Sequence, residues 1–428
     1  MFTSPLVPAA LLISAFALLP GQDQDEAELV ARARAIHDSV ITLDTHKDIS
    51  SDLASEDIPD DPDEKKRFIE RNDPTVRGPN QVDFPKMREG GLDTAFYIVY
   101  VGQGSLDAEG FERAHATALQ KFEAIHRMCR RYPEHIELAR TPDDVRRIHA
   151  AGKLVCAIGI ENGYAMGDDP ALVKKFHELG ARYMSITHNR HSQLGDSNTP
   201  ADAPLHGGLT DLGQRAIEEM NLHGIMVDIS HSAKTTALQT IAHSKAPVLA
   251  SHSAVVAKCD HTRNLDDETL KALAKNGGVI QIVAFDPYVK DNSKQREEVA
   301  ALREELGMPP FRRGQPRDTS PEAVEKQRVF QERAAEIAER HPPANVEDMA
   351  DHIDHAVELI GIEHVAISSD FDGGGGVVGW NDASETFNVT LELVRRGYTK
   401  EQIEMLWSGN TLRVWTAVER IAKELQAK

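Results

Sequence analysis

Eight apolar runs of strand length recur along this 428-residue chain, separated by segments of helical periodicity. They are SVITLDTHKD, LDTAFYIVYV, KLVCAIGIEN, RYMSITHN, GIMVDISH, APVLASHS, GGVIQIVAF and HVAISSDFDG. Most are near-continuous rather than alternating, as parallel strands covered by helices should be. Amphipathic stretches such as FERAHATALQKFEAIHRMCRRY, TDLGQRAIEEMNLHG and VEDMADHIDHAVELIG lie between them, several ending at glycine, a helix stop signal. Eight alternating β and α units predict an α/β fold of the (β/α)8 TIM type. The competing fold is a doubly wound open sheet. It usually carries a Gly-rich phosphate loop after its first strand, and no such loop follows SVITLDTHKD.

One segment breaks the rhythm. Residues 286–345 are very polar and fall between the seventh and eighth strand candidates. They read as a helical insertion on the C-terminal face of the barrel, either a solvated helical pair or a lid. The chain is 40% hydrophobic and 27% charged, enough to bury a core in one large domain. Its net charge of −20 argues against a nucleic-acid partner and against docking on an anionic membrane.

Residues 1–22 include the apolar run LVPAALLISAFALLPG, of signal-peptide length, with AFA as a cleavage site. No Lys or Arg precedes the run, so a retained N-terminal anchor is the alternative to export. Residues 23–428 then form one catalytic domain, and the polar tail ERIAKELQAK carries no lipid-anchor signal. Cys129, Cys156 and Cys259 are widely spaced and form neither a disulfide framework nor a C-x-x-C metal site. Cys156, inside LVCAIGI, reads as a buried structural thiol.

The ends of the strand candidates carry the chemistry. The first ends in His46 and Asp48, the third in Glu161 and the fourth in His188. The fifth ends in His231, the sixth in His252, and the eighth in Asp370 and Asp372. In a barrel these ends converge on one face, where active sites sit. Residues two apart on a strand share a face, so His46 and Asp48 point together. An isolated H-x-D is usually just polar loop; six strands ending in His, Asp or Glu are not. Imidazole and carboxylate suit zinc, with Mn, Co or Fe as substitutes, and a carboxylate such as Glu161 can bridge two ions. Two ions about 3.5–4 Å apart can share a hydroxide and polarise a carbonyl. A nearby carboxylate then moves protons to the leaving group. Strand parity gives Asp370 and Asp372 the same face and does not choose between them.

With these motifs in place, the chain resembles the membrane (renal) dipeptidase family of zinc peptidases, including its bacterial members, from about Ile41 to Trp415. His46 and Asp48 match its H-x-D, and Glu161 its bridging glutamate. VDISH and PVLASHS carry the two later ligands, His231 and His252. The resemblance implies that one ion takes the H-x-D pair plus Glu161, and the other takes Glu161 plus the two histidines. It implies that His188 in YMSITHN contacts substrate during catalysis and that Arg263 in HTRNLDDE binds the substrate carboxylate. It makes Asp370 in ISSDFDG the catalytic aspartate, treats SGNTLRVW as structural, and implies a homodimer. Thr45 and Lys47 stand where the family more often has Gly and Asn, and alternation turns both away from the metal face. Tyr164 replaces a polar residue after the glutamate motif, which bears on substrate preference.

The remaining candidates read as ordinary structure. His191, His206 and His223 are scattered in loops and at a helix end. His352 and His355 lie three apart on an outer helix, and Trp380 is a candidate for the pocket wall. The expected function is a two-zinc dipeptidase acting on dipeptides, some with a C-terminal D-residue. The alternatives are another dinuclear barrel hydrolase, acting on a lactone, cyclic amide or phosphoester, and a non-catalytic binding protein on the same fold. Many such hydrolases bridge their metals with a carboxylated lysine, where this chain has Glu161. A binding protein would have lost ligands, and all five are present.

Overall fold

The computed structural model describes residues 20–200, 203–309 and 320–428. Nine parallel strands form one sheet: β1 Leu43–Asp48, β2 Thr94–Tyr100, β3 Ile136–Leu138, β4 Leu154–Glu161, β5 Ala181–Ser185, β6 Met226–Asp228, β7 Leu249–Ser253, β8 Val279–Val283 and β9 Val365–Ser368. The order is β1-β2-β4-β5-β6-β7-β8-β9. The sheet closes where Lys47 bridges Phe371 and the Asp48 N–H donates to the Phe371 carbonyl at 2.9 Å. The chain is a (β/α)8 barrel, and its eight barrel strands are the eight predicted runs.

β3 is additional. It pairs with Leu154–Cys156 at the start of β4, whose pairing with β5 begins only at Ile158. Three residues are too few to give a period in the sequence.

Both faces of each strand are covered, which explains the continuous apolar runs. Leu43, Phe96, Ile98, Val155, Tyr183, Met226, Leu249, Val279 and Ala366 pack inside the barrel with Leu412, Trp415 and Val418 of the C-terminal helix Asn410–Gln426. SGNTLRVW is therefore packing: Asn410 Nδ2 donates to the carbonyls of Ile362 and Val365, and Trp415 lies against Phe96. The outward set, including Tyr97, Val99, Cys156, Ile158 and Ile160, meets the helices. Helix Ala108–Arg131 shows why these form. Asp107 caps it by accepting from the Gly110 N–H at 2.8 Å, and Gly110, Ala114, Ala118, Phe122, Ile125 and Met128 make one buried stripe.

Between β8 and β9 the described insertion contains helices Asp286–Val289, Ser293–Glu305 and Pro321–Arg340, before helix Val346–Ile360 of the outer ring. Arg333 pairs with Glu305, and Arg340 and His341 with Glu298. In this helical pair only Leu302 and Ile337 are buried, so it is mostly solvated. The predicted signal peptide lies outside the described residues as far as residue 19. Among the described residues no helix is long and apolar enough to cross a membrane.

Candidate metal centre

The strand tips bring His46, Asp48, Glu161, His188, His231, His252 and Asp370 together. Three triads each offer ligand atoms within 4.8 Å of one another: His46/Glu161/His252, Glu161/His188/His231 and His46/Asp48/Asp370. Glu161, 3% exposed, is the hub. Its Oε2 lies 3.6 Å from His46 Nε2, while its Oε1 lies 3.1 Å from His231 Nε2 and 3.3 Å from His252 Nε2. His188 Nε2 is 3.6 Å from the same Oε1, and His46 Nε2 is 3.8 Å from Asp370 Oδ1.

Two of the imidazoles are anchored from behind. Tyr183 donates its hydroxyl proton to the Thr45 carbonyl at 2.8 Å and so accepts from His46 Nδ1 at 3.2 Å. Ser251 Oγ donates to Asp228 Oδ2 at 2.6 Å and accepts from His252 Nδ1 at 2.8 Å. Each ring thus keeps its proton on Nδ1 and turns Nε2 into the cluster, the arrangement of a metal-ligating histidine. His46 Nε2 is buried without a hydrogen bond, and His231 Nε2 stands 2.9 Å from His252 Nε2. Nitrogen lone pairs converging on a buried carboxylate fit a divalent cation.

Electrostatics divide the cluster. Burial presses His46 down, but Glu161, then Asp370 and Asp48, outweigh it and raise the ring to about 10, so a divalent cation at Nε2 would have to displace a proton that these carboxylates otherwise hold. Burial lowers His231 and His252 well below their ordinary range, and Arg263 and a neighbouring histidine add to this. Burial also raises Asp370 to about 8, with Glu161 and Asp48 adding to it against His46 and Arg263. Glu161 goes the other way: burial opposes ionisation, but the surrounding histidines hold it well below the usual carboxylate range.

Backbone geometry separates Asp370 from Asp372, which parity could not. β9 ends at Ser368, and the two residues take φ of +57° and +62°, so strand alternation no longer applies. Asp370 turns to His46. Asp372 turns away, accepting from the Gln81 N–H at 2.8 Å, with its Oδ2 3.5 Å from Lys47 Nζ. Of five described non-glycine residues with positive φ, Asn162, His231, Asp370 and Asp372 are in or beside the cluster. Such residues cost about 1–3 kcal/mol each and persist only where the surroundings enforce them. A Cβ at Gly373 would push on both carboxylates, colliding with Asp370 Oδ1 and coming within 2.6 Å of Asp48 Oδ2.

Arg263 is 1% exposed. Its Nη2 donates to the His252 carbonyl at 3.1 Å, and its guanidinium lies 5.1 Å from the centre of the Tyr288 ring. Nε and Nη1 have no acceptor among the described residues. A buried cation with free donors calls for an anion from outside. Tyr288, in the first turn of the insertion, reaches the site beside Arg263.

The remaining candidates are structural in the described fold. Trp380 does not line a pocket; fully buried, it packs against Phe371 and Trp407 and donates to Thr386 Oγ1. Tyr164 is buried under the loop after β2 and donates to the Ser105 carbonyl at 2.6 Å. His191 braces its own loop beside Asp196, and His355 pairs with Asp267. Residues the motifs did not single out are Asp44, Asp228, Ser251 and Tyr183. Asp44 accepts from the Ser369 N–H at 2.9 Å and ties β1 to the end of β9. An acid inside an apolar run, as in VITLDTH and IMVDISH, was the available signal.

The model of a protein family described as "Membrane dipeptidase (Peptidase family M19)" matches residues 30–428. The chain belongs to this family. Dipeptidase aclJ of Aspergillus oryzae is 31% identical over 351 residues, 81% of this chain and 72% of the relative. The crystal structure of the probable dipeptidase PvdM from Pseudomonas aeruginosa superposes with a TM-score of 0.77 at 30% identity, covering 92% of this chain and 99% of that one. A metallopeptidase from Rhodobacter sphaeroides, solved with a phosphinate mimic of the dipeptide L-Ala-D-Ala, shares the fold with a TM-score of 0.66 at 21% identity, over 89% of this chain and 99% of its own. Family membership makes the chain a hydrolase of the metallo-dipeptidase class, with the strand-tip cluster as its candidate metal-binding residues.

Proposed function

We propose that the chain is a dinuclear zinc dipeptidase that hydrolyses dipeptides, including those with a D-residue on the C-terminal side. One observation carries this reading: Glu161 divides the donors, Oε2 facing His46 and Oε1 facing His231 and His252. A carboxylate so divided suits a bridge. His46, Asp48 and Glu161 would hold one ion, and Glu161, His231 and His252 the other. Zinc is the first choice, with Mn, Co or Fe as substitutes. Ions bound there would supply Lewis acidity toward a peptide carbonyl and lower the pKa of water.

The chain's own residues do the rest. Arg263 holds the C-terminal carboxylate of the substrate through its free guanidinium donors, fixing distance and direction. His188, kept toward its neutral form mainly by burial, contacts the substrate beside Glu161. Asp370, whose Oδ1 stands 3.8 Å from His46 Nε2 at the edge of the cluster, is the carboxylate placed to move the proton. It accepts that proton during attack and returns it to the leaving amine. Residues 1–22 direct export, residues 23–428 form the catalytic domain, and the domain works as a homodimer.

The test is a hydrolysis panel with metal analysis on the same sample. L-Ala-D-Ala heads the panel, because a peptidase of this fold was solved with its mimic. Free dipeptides should be cleaved, and C-terminal amides should be poor substrates. Amides cleaved as fast as free dipeptides would remove the carboxylate-anchor role of Arg263. Turnover of lactones or cyclic amides alone would replace the dipeptidase reading, and bound metal without any turnover would indicate a binding protein.

A further inference from the structure

β1 presents His46 and Asp48 to the cluster and Lys47 to the opposite side. Lys47 is 3% exposed, with its ammonium 5.2 Å from the centre of the Tyr97 ring and 3.5 Å from Asp372 Oδ2. That oxygen accepts no hydrogen bond among the described residues. The other, Oδ1, accepts from the Gln81 N–H at 2.8 Å, and the Asp372 N–H donates to Gln81 Oε1 at 2.7 Å. Gln81 Nε2 donates onward to the carbonyls of Gly375 at 2.8 Å and Asn381 at 2.7 Å.

Phe371, between the two aspartates, bridges Lys47 through the backbone and accepts from the Asp48 N–H at 2.9 Å. Residues 370–372 are therefore tied to β1 by its backbone and face the Lys47 ammonium across a 3.5 Å ion contact. Both aspartates have positive φ, so the loop needs such outside restraint. An ion pair with one buried partner, Lys47, and one half-buried partner, Asp372, gains little net stability once desolvation is counted, and fixing one arrangement is the best-attested use of such pairs.

We propose that Lys47 and Asp372, with Gln81, form a positioning clamp that sets where the Asp370 carboxylate stands relative to His46 and Glu161. The clamp rests on the dipeptidase reading, in which Asp370 handles the proton. Neither Lys47 nor Asp372 touches substrate; both act through the backbone of residues 370–372.

The test uses full-length holoenzyme as wild type, Lys47→Met, Lys47→Arg, Asp372→Asn and the double variant Lys47→Met/Asp372→Asn, each assayed on L-Ala-D-Ala with metal content measured. A reacting group displaced by about 1 Å can cost on the order of 100-fold. Lys47→Met and Asp372→Asn should each lower kcat about 10- to 100-fold, with KM changed less than about threefold and metal content intact. Lys47→Arg keeps the cation and should restore most of kcat. The double variant should be no slower than the slower single variant, because both changes remove one restraint. Unchanged kcat in Lys47→Met overturns the clamp. So does metal loss in that variant, which would place the effect at His46 and Asp48. If Lys47→Met fails to fold, the isosteric Asp372→Asn decides alone, and full kcat there overturns the clamp. An active wild type with indifferent variants sinks the clamp only; a wild type that cleaves no dipeptide sinks the dipeptidase reading and the clamp with it.

Discussion

His46 and His352 are buried to the same degree, each 1% exposed, yet their rings are used in opposite ways. His352, on helix Val346–Ile360, accepts from the Val255 N–H through Nδ1 at 3.1 Å and donates through Nε2 to the Val289 carbonyl at 2.8 Å. Both nitrogens are spent on backbone, and the ring joins the outer helix to the loops after β7 and β8. His46 spends only Nδ1, on Tyr183, and leaves Nε2 facing Glu161 and Asp370. Burial alone therefore says nothing about function. What distinguishes the cluster is a buried nitrogen left without a hydrogen bond beside several carboxylates, a costly arrangement unless an ion or proton fills it.

The largest expected effect breaks the cluster at its hub. Glu161→Ala removes the group that faces both sides, so metal content should drop from about two equivalents to well under one, with activity lost. His352→Gln should leave metal content unchanged. Elemental analysis of both variants checks the contrast, and a Glu161→Ala protein that still holds two ions would end the bridging model.

Next in size is Asp370→Asn, which keeps shape and removes the titrating group. General acid–base groups contribute about 10²–10⁴-fold, so kcat should fall within that range with metal retained. Single-turnover assays on the metal-loaded variant separate this from weakened binding. Unchanged kcat would assign proton handling elsewhere.

A smaller effect should follow from Asp228→Asn. Asp228 touches no ligand atom of the cluster; it orients Ser251, which fixes the proton of His252 on Nδ1. Loss of such a supporting partner typically costs about 10–100-fold in metal affinity or activity. Titration with a competing chelator should show one ion weakened, on the His231/His252 side of Glu161. Equal weakening of both ions would refute the assignment of Asp228 to His252.

These contrasts also show where the sequence was legible. Strand order and the meeting of His46, Glu161, His188, His231 and His252 follow from two regularities, apolar strand runs and their common C-terminal face. Both are fixed by local pattern and barrel topology. What escaped was set by backbone that had left those patterns. Strand parity left Asp370 and Asp372 undivided, and only the family motif chose Asp370; two left-handed residues beyond β9, where alternation no longer applies, turn their side chains apart. The sequence left Trp380 open between pocket wall and core because a glycine-rich loop gives no periodicity, and the chain turns its ring into the core against Trp407. Asp44 and Asp228 look like polar interruptions until the Ser369 and Ser251 contacts show what they hold.

The smallest effect concerns the other member of the pair. Burial is the first cause that lowers the His352 pKa, with Lys258 adding to it and the hydrogen bond to Val289 opposing, and the result is about 4. Unfolded histidine titrates near 6.5. Between pH 6.5 and 4 the unfolded chain binds more protons than the folded one, so His352 lowers stability as pH falls through that window. Above 6.5 it has no such effect, and below 4 the loss is complete. By pH 5 the loss amounts to about 2 kcal/mol. His352→Gln can keep both backbone hydrogen bonds, since an amide offers an acceptor and a donor at similar spacing, but it cannot titrate. At pH 7.5 the variant should cost about 1 kcal/mol, with hydrolysis unchanged. At pH 5 it should match or exceed the wild type. Denaturant unfolding at the two pH values measures this, and comparing the two proteins cancels the shared acid loss of metal at the cluster. Equal pH slopes would mean that His352 takes up its proton in the folded state over the same pH range as in the unfolded chain. Its ring nitrogens would then no longer be the satisfied counterpart of those in His46.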